Sequence, residues 1–232
     1  MARLAVTDLH VSYGLSRVLS GVSFEVGEGE VVGLMGRNGA GKTTTLRSIM
    51  GLTPAHRGRV EWNGRDVTAT ATHRIARLGI GYVPEERRIF PGLSLEENLQ
   101  IARRPGKEQR DPNSVYELFP DLRELAGRPG GVLSGGQQQL LAIARSLVGS
   151  PKLLLLDEPS EGLAPLVVRS IQEQLAALRE TGLSILLAEQ NPQFALALSD
   201  RVHVMERGEI RYSATAEELK EDDSRLREYL AV

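Results

Sequence analysis

Over the first sixty-odd residues, apolar and polar positions alternate in short runs, a two-residue period that predicts strands separated by glycine turns. Val11-Ser12-Tyr13, Val22-Ser23-Phe24-Glu25-Val26 and Arg59-Val60-Glu61-Trp62 carry it, and Asn63-Gly64 closes the last as a hairpin turn. Val31-Val32-Gly33-Leu34-Met35 is apolar throughout, the pattern of a buried strand, and glycines separate it from a helical stretch beginning at Lys42. From about Leu93 to Arg128 the pattern becomes helical and more polar. Ser94 and Glu97 form a capping-box signal for a helix through Asn98 and Ile101, while Pro105-Gly106 and Asp111-Pro112 break this region into short helices.

Strand and helix then alternate again. The expected elements are a helix over Gln137 to Val148, a strand over Lys152 to Asp157, a helix over Leu166 to Arg179 and a buried strand over Leu183 to Ala188. A hairpin follows, Arg201 to Met205 and Glu209 to Tyr212 across Arg207-Gly208, and Ala216 to Leu230 reads as one or two short amphipathic helices. This predicts one domain. An α/β core with an antiparallel β lobe comes from residues 1–92 and 150–232, a helical insertion occupies 93–149, and short helices close the chain over 214–232.

Composition narrows the function. Hydrophobic residues make up 41% of the 232 positions and charged residues 25%, as in ordinary globular proteins. Lys and Arg number 28 against 30 Asp and Glu, a net charge of −2, which argues against a nucleic-acid binder built on a basic face. Without cysteine there is no disulfide, thiolate metal site or cysteine nucleophile, and the composition fits a reducing compartment. The N-terminal residues lack the apolar core of a signal peptide. The longest apolar runs, such as Leu153 to Leu156, fall far short of the roughly 20 residues of a membrane span. Any membrane role is therefore expected to be peripheral. Arg103, Arg104, Lys107 and Arg110 alternate with Glu96, Glu97 and Glu108 and read as a solvated helical face.

Gly36-Arg37-Asn38-Gly39-Ala40-Gly41-Lys42-Thr43-Thr44 satisfies the phosphate-loop pattern between a strand and a helix. Glycines allow successive backbone N–H groups to converge on phosphate oxygens, and the helix directs its positive end there. Lys42 is expected to bridge the β- and γ-phosphates and Thr43 to ligate Mg²⁺. This loop is expected to bind a nucleoside triphosphate. Such a site needs a carboxylate for the metal shell, usually at the end of a neighbouring buried strand, and Leu153 to Asp157 supplies Asp157. Glu158, next in line, is placed to act as general base on the attacking water. Leu133-Ser134-Gly135-Gly136-Gln137 opens a second helix with another anion-binding end. One phosphate chain does not need two such cradles from one subunit. The economical arrangement is a dimer in which Ser134-Gly135-Gly136 of each subunit closes on the nucleotide held by the other.

With these residues in place, the whole chain resembles the nucleotide-binding subunits of ABC transporters. The resemblance implies the ABC ATPase version of the P-loop NTPase fold, with a RecA-like core, an antiparallel β subdomain and a helical subdomain. It makes Gly36 to Thr44 the Walker A motif, Leu133 to Gln137 the signature motif and Leu153 to Glu158 Walker B with its catalytic glutamate. Tyr13 matches the aromatic that stacks on adenine, and Ser160-Glu161-Gly162-Leu163 the loop that meets its counterpart across the dimer. Implied cofactors are ATP and Mg²⁺. Implied partners are membrane permease subunits and a second ATP-binding subunit, with a periplasmic or extracellular solute-binding protein acting indirectly; the chain itself is implied to sit peripherally at the cytoplasmic face of the inner membrane.

Three positions depart from the family pattern: Glu85 replaces the usual glutamine, Gln190 the switch histidine, and Ala164 the aspartate ending the dimer loop. Gln190 can still donate to a γ-phosphate but cannot carry charge. Glu85 can ligate Mg²⁺ or hold water, and its charge would call for compensation from Arg87 or Arg88. The segments Val83 to Phe90, Ser160 to Pro165 and Ala188 to Asn191 resemble the importer subfamily for branched-chain, hydrophobic amino acids. Its relatives serve urea and amides, toward which Glu161-Gly162 and Gln137-Gln138-Gln139 lean. A soluble ABC ATPase, for instance of iron–sulfur assembly, is the rival. A P-loop kinase or GTPase leaves the signature segment unexplained.

Overall fold

A computed structural model describes residues 3–103, 112–222 and 224–230, the side chains of residues 112, 113 and 227 excepted. Its strands are β1 (Leu4–Tyr13), β2 (Ser16–Val26), β3 (Val31–Met35), β4 (Arg57–Trp62), β5 (Arg65–Asp66), β6 (Ile80–Val83), β7 (Leu153–Asp157), β8 (Ser184–Glu189), β9 (Arg201–Glu206) and β10 (Glu209–Thr215). Its helices are α1 (Lys42–Ile49), α2 (Thr72–Arg77), α3 (Leu95–Ile101), α4 (Pro112–Leu118), α5 (Pro120–Arg123), α6 (Gly135–Val148), α7 (Pro165–Glu180), α8 (Pro192–Leu198), α9 (Ala216–Glu221) and α10 (Ser224–Leu230).

Two sheets form. One runs β10-β9-β3-β8-β7-β6, parallel except for β10; the other, β2-β1-β4-β5, is antiparallel. Period-two packing joins them. Leu153 and Leu155 face the core shared with the antiparallel sheet and with Leu46 and Ile49 of α1. Leu154 and Leu156, on the opposite face, meet residues of α6, α7 and α8. All four are fully buried, each stabilising the fold by roughly 1.5–3 kcal/mol relative to exposure. Burial on both faces explains why this strand is apolar at every position.

Parallel strands bring their following loops to one edge. Residues 36–41 after β3, 158–164 after β7, 190–191 after β8 and 84–90 after β6 therefore share the carboxyl end of the sheet, where ligands of open α/β folds bind. Between β6 and β7 the described chain is helical, from α3 to α6, and Ser94 and Glu97 form the expected capping box. The turn pairs Asn63-Gly64 (φ 49° and 74°) and Arg207-Gly208 (φ 49° and 80°) are left-handed, as tight hairpins require. The signals at Pro105-Gly106 and Asp111, and the charges of Arg104, Lys107, Glu108 and Arg110, lie outside the described residues; Arg103 is exposed just beyond α3. Periodicity did not reveal α2 or α8, which span only 6 and 7 residues. Among the described residues no helix is long and apolar enough to cross a membrane.

Candidate active site

The loop after β3 is folded for an anion. Its Gly36 is irreplaceable on space alone: a Cβ there would stand 2.5 Å from the Met205 carbonyl oxygen. Gly39 and Gly41 are left-handed, which lets the chain curl back before α1. No side chain caps α1 and its first turn holds no acid, so its N-terminal donors and positive end are left for a ligand. Lys42, 3% exposed, donates through Nζ to the Gly36 carbonyl at 2.7 Å and the Arg37 carbonyl at 3.2 Å.

Two carboxylates meet this loop. Thr43 Oγ1 donates to Asp157 Oδ1 at 2.9 Å, and Lys42 Nζ lies 3.0 Å from Glu158 Oε1. The sequence reading placed Asp157 on a strand neighbouring β3. The structure inserts β8 between β3 and β7, and Thr43 on α1 spans the gap. Glu158 has a left-handed backbone (φ 47°), a conformation costing on the order of 1 kcal/mol or more, at the point where its carboxylate approaches Lys42. Burial raises the Asp157 pKa, opposed by hydrogen bonds from Thr43 and Tyr82.

Tyr82 was not singled out in the sequence. On β6 it donates through its hydroxyl to Asp157 Oδ2 at 2.9 Å, so both carboxylate oxygens are engaged. Burial and the adjacent Asp157 charge hold its own pKa far above the ordinary tyrosine value. Asp157 and Thr43 form a hard oxygen pair that fits Mg²⁺, which commonly takes one or two protein ligands beside phosphate oxygens. Among the described residues no group of three or more His, Cys, Asp or Glu could hold a metal, so phosphate and water would have to complete the shell.

Glu85, expected as a metal or water ligand, is exposed, and no hydrogen bond ties it to Asp157 or Thr43. Its pKa is raised by partial burial and then by Glu158, Asp157, Glu86 and Glu161. The compensation expected from Arg87 and Arg88 does not form. Arg88 pairs with Glu86 at 3.5 Å, and Arg87 donates to Gln139 of α6 at 3.2 Å. The backbone decides this: both arginines are left-handed (φ 60° and 47°), and Arg145 of α6 fixes the turn by donating to the Arg88 carbonyl at 2.7 Å.

Gln190 follows β8 and donates from Nε2 to Glu161 Oε2 at 2.8 Å. Glu189, 1% exposed, accepts backbone N–H groups from Ser160 at 3.1 Å and from Gln190 and Asn191 at 3.0 Å each. The loops after β7 and β8 are thus tied together. Tyr13 is 48% exposed at the end of β1, its hydroxyl 3.2 Å from Thr53 Oγ1, which rules out a core tyrosine and leaves its ring open to a ligand.

The second cradle stands apart. Ser134 caps α6: its Oγ accepts from Gln137 N–H at 3.3 Å, and Gln137 Oε1 accepts from Ser134 N–H at 2.9 Å. A Cβ on Gly136 would sit 2.3 Å from Val167 Cγ1, and one on Gly135 would face Arg87 and Leu163. These neighbours belong to α7 and the loops before it and after β6, whereas Gly36 and Gly41 are surrounded by Leu19, Ala40, Met205 and Gly208. The same chain does not fold its second cradle onto its phosphate loop.

Comparison with known proteins follows this geometry. A family model described as ABC transporter matches residues 19–161. The chain is 44% identical over 210 residues to the high-affinity branched-chain amino acid transport ATP-binding protein BraG of Pseudomonas aeruginosa, covering 89% of this chain and 90% of BraG. It is 37% identical over 236 residues to the lipopolysaccharide export system ATP-binding protein LptB of Escherichia coli, covering 99% and 98%. Among solved structures, the ADP conformation of MJ1267, an ATP-binding cassette of an ABC transporter, matches with TM-score 0.86 at 28% identity, over 100% of this chain and 99% of that one.

Proposed function

Since the chain belongs to the ABC transporter family and is one of its ATPases, we propose that it powers an importer for branched-chain, hydrophobic amino acids or related small polar solutes such as urea and amides. The observation that carries the solute class is the 44% identity to BraG over nearly all of both chains. The likeness to LptB favours a second reading, an ATPase for lipid export, at lower identity.

The mechanism rests on the convergence of Lys42, Thr43, Asp157, Glu158 and Gln190 at one sheet edge. ATP lies with its adenine against Tyr13 and its phosphates over the backbone of Gly36, Arg37, Asn38, Gly39, Ala40 and Gly41, with Thr44 in the helix beneath. Lys42 exchanges Glu158 for the β- and γ-phosphates. Thr43 and Asp157 would hold Mg²⁺, which would supply charge neutralisation on the phosphates. Glu158, released from Lys42, takes the proton of the attacking water, and Gln190 donates to the γ-phosphate. Glu85 serves through solvent at the rim. Ser134, Gly135, Gly136 and Gln137 of a second ATP-binding subunit close the opposite side of the nucleotide.

Hydrolysis is relayed through the helical segment to membrane permease subunits at the cytoplasmic face. A groove of about 420 Å³ lined by Tyr82, Arg87, Phe90, Ile101 and Arg145 joins the end of β6 to that segment and is the candidate contact. The test is reconstitution in liposomes with the cognate membrane subunits, second ATPase and solute-binding protein. ATP-driven uptake of leucine or an amide is expected. ATP hydrolysis stimulated only by lipid extraction would overturn import.

A further inference from the structure

We infer that Glu161 and Glu189 are positioning residues that make Gln190 a fixed γ-phosphate donor, the first through its side chain and the second through its backbone. The inference rests on the assignment of Gln190 given above. A glutamine amide carries two N–H groups at the end of three rotatable bonds, and ordering such a side chain costs up to about 2 kcal/mol. Undirected, its amide can turn either end into the site, and only the nitrogen end can donate to an anion. Glu161 removes that ambiguity. Its Oε2 accepts one Nε2–H at 2.8 Å, so the nitrogen end is specified and one N–H remains to donate elsewhere.

Glu189 completes the device from below. Its two oxygens take three backbone donors, Ser160 on one loop and Gln190 and Asn191 on the other. Glu161 N–H donates to the Glu158 carbonyl at 3.2 Å, so the base, the amide anchor and the donor belong to one hydrogen-bonded unit. Stability alone does not account for the placement of Glu161. It is exposed, no ion pair engages it among the described residues, and it stands close enough to Glu85 to act on it alongside Asp157 and Glu158. A further carboxylate in this group adds repulsion, and a cost of that kind collects at functional sites.

The test is a double-mutant cycle on steady-state ATPase activity of the full chain with its cognate subunits. Glu161→Ala and Gln190→Ala are each expected to lower kcat about tenfold with KM for ATP within about twofold, and the double variant to cost no more than either alone. Glu161→Gln keeps a carbonyl acceptor and should stay within about threefold of the parent. Multiplied losses in the double variant, or an unchanged kcat in Glu161→Ala, would overturn the pairing. Glu158→Gln, run in parallel, separates the two levels. If it abolishes turnover while Glu161→Ala leaves kcat unchanged, the positioning role fails and the site assignment stands. If it retains turnover, the site assignment fails and this inference with it.

Discussion

Replacing Glu158 by Gln removes one charge from a pair whose members are 3% and 8% exposed and 3.0 Å apart. At an effective dielectric of about 20, that separation corresponds to about 5–6 kcal/mol of attraction, much of it offset by desolvation. Breaking a buried pair from one side commonly costs about 3–5 kcal/mol. Here the new amide oxygen can still accept from Lys42, which keeps its bonds to the Gly36 and Arg37 carbonyls, so about 2 kcal/mol is expected. For a chain of this length that lowers the nucleotide-free Tm by about 4–8 °C. The same charge competes with phosphate for Lys42, so its removal should tighten ATP binding by up to about 30-fold, while turnover falls at least about 100-fold with the base gone. Scanning calorimetry without nucleotide, equilibrium ATP binding and steady-state hydrolysis read the three effects. An unchanged nucleotide-free Tm together with unchanged ATP affinity would refute a resting-state Lys42–Glu158 pair.

Gly136→Ala should cost about 1–3 kcal/mol, since its Cβ would overlap Val167 Cγ1 at 2.3 Å, and Val167→Ala should restore most of that loss; urea unfolding that shows no rescue would contradict the packing. Tyr82→Phe leaves Asp157 Oδ2 without its donor and should destabilise the nucleotide-free chain by about 1.5–3 kcal/mol, read as a lower urea midpoint at unchanged slope. His203 is buried, with Nδ1 2.6 Å from Ser213 Oγ, and burial lowers its pKa from 6.5 to about 4. The unfolded chain therefore binds the extra proton first on acidification, so this group's contribution is complete above pH 6.5 and is lost as pH falls towards 4. The loss is roughly 2–4 kcal/mol, and His203→Gln should flatten the stability curve over that window; an identical slope in the variant would count against a neutral buried His203.

Local chemistry made much of this molecule legible in its sequence. The phosphate loop could be read because backbone curvature demands glycine at set intervals and phosphate demands lysine and a hydroxyl directly after it, all within nine residues. Leu153 to Asp157 declared itself because a strand covered on both faces must be apolar at every position until it reaches the solvent edge. Caps at Ser94 and Ser134 and turns at Asn63-Gly64 and Arg207-Gly208 are likewise decided by neighbours three residues away or fewer.

Contacts between distant segments were decided only by the tertiary structure. Strand order placed β8 between β3 and β7, and nothing local encodes which strands will be adjacent. Tyr82 is 75 residues from the carboxylate it engages, and Ser160 and Glu161 are 29 residues from Glu189 and Gln190. The partner expected for Glu85 failed for the same reason. Proximity in sequence suggested Arg87 and Arg88, but their left-handed backbone and the hold of Arg145 from α6 turned them away. Sequence determined which groups could do chemistry because that follows from residue type and short-range geometry. Folding determined which of them meet, because a side chain's partners are set by the packing of whole strands and helices.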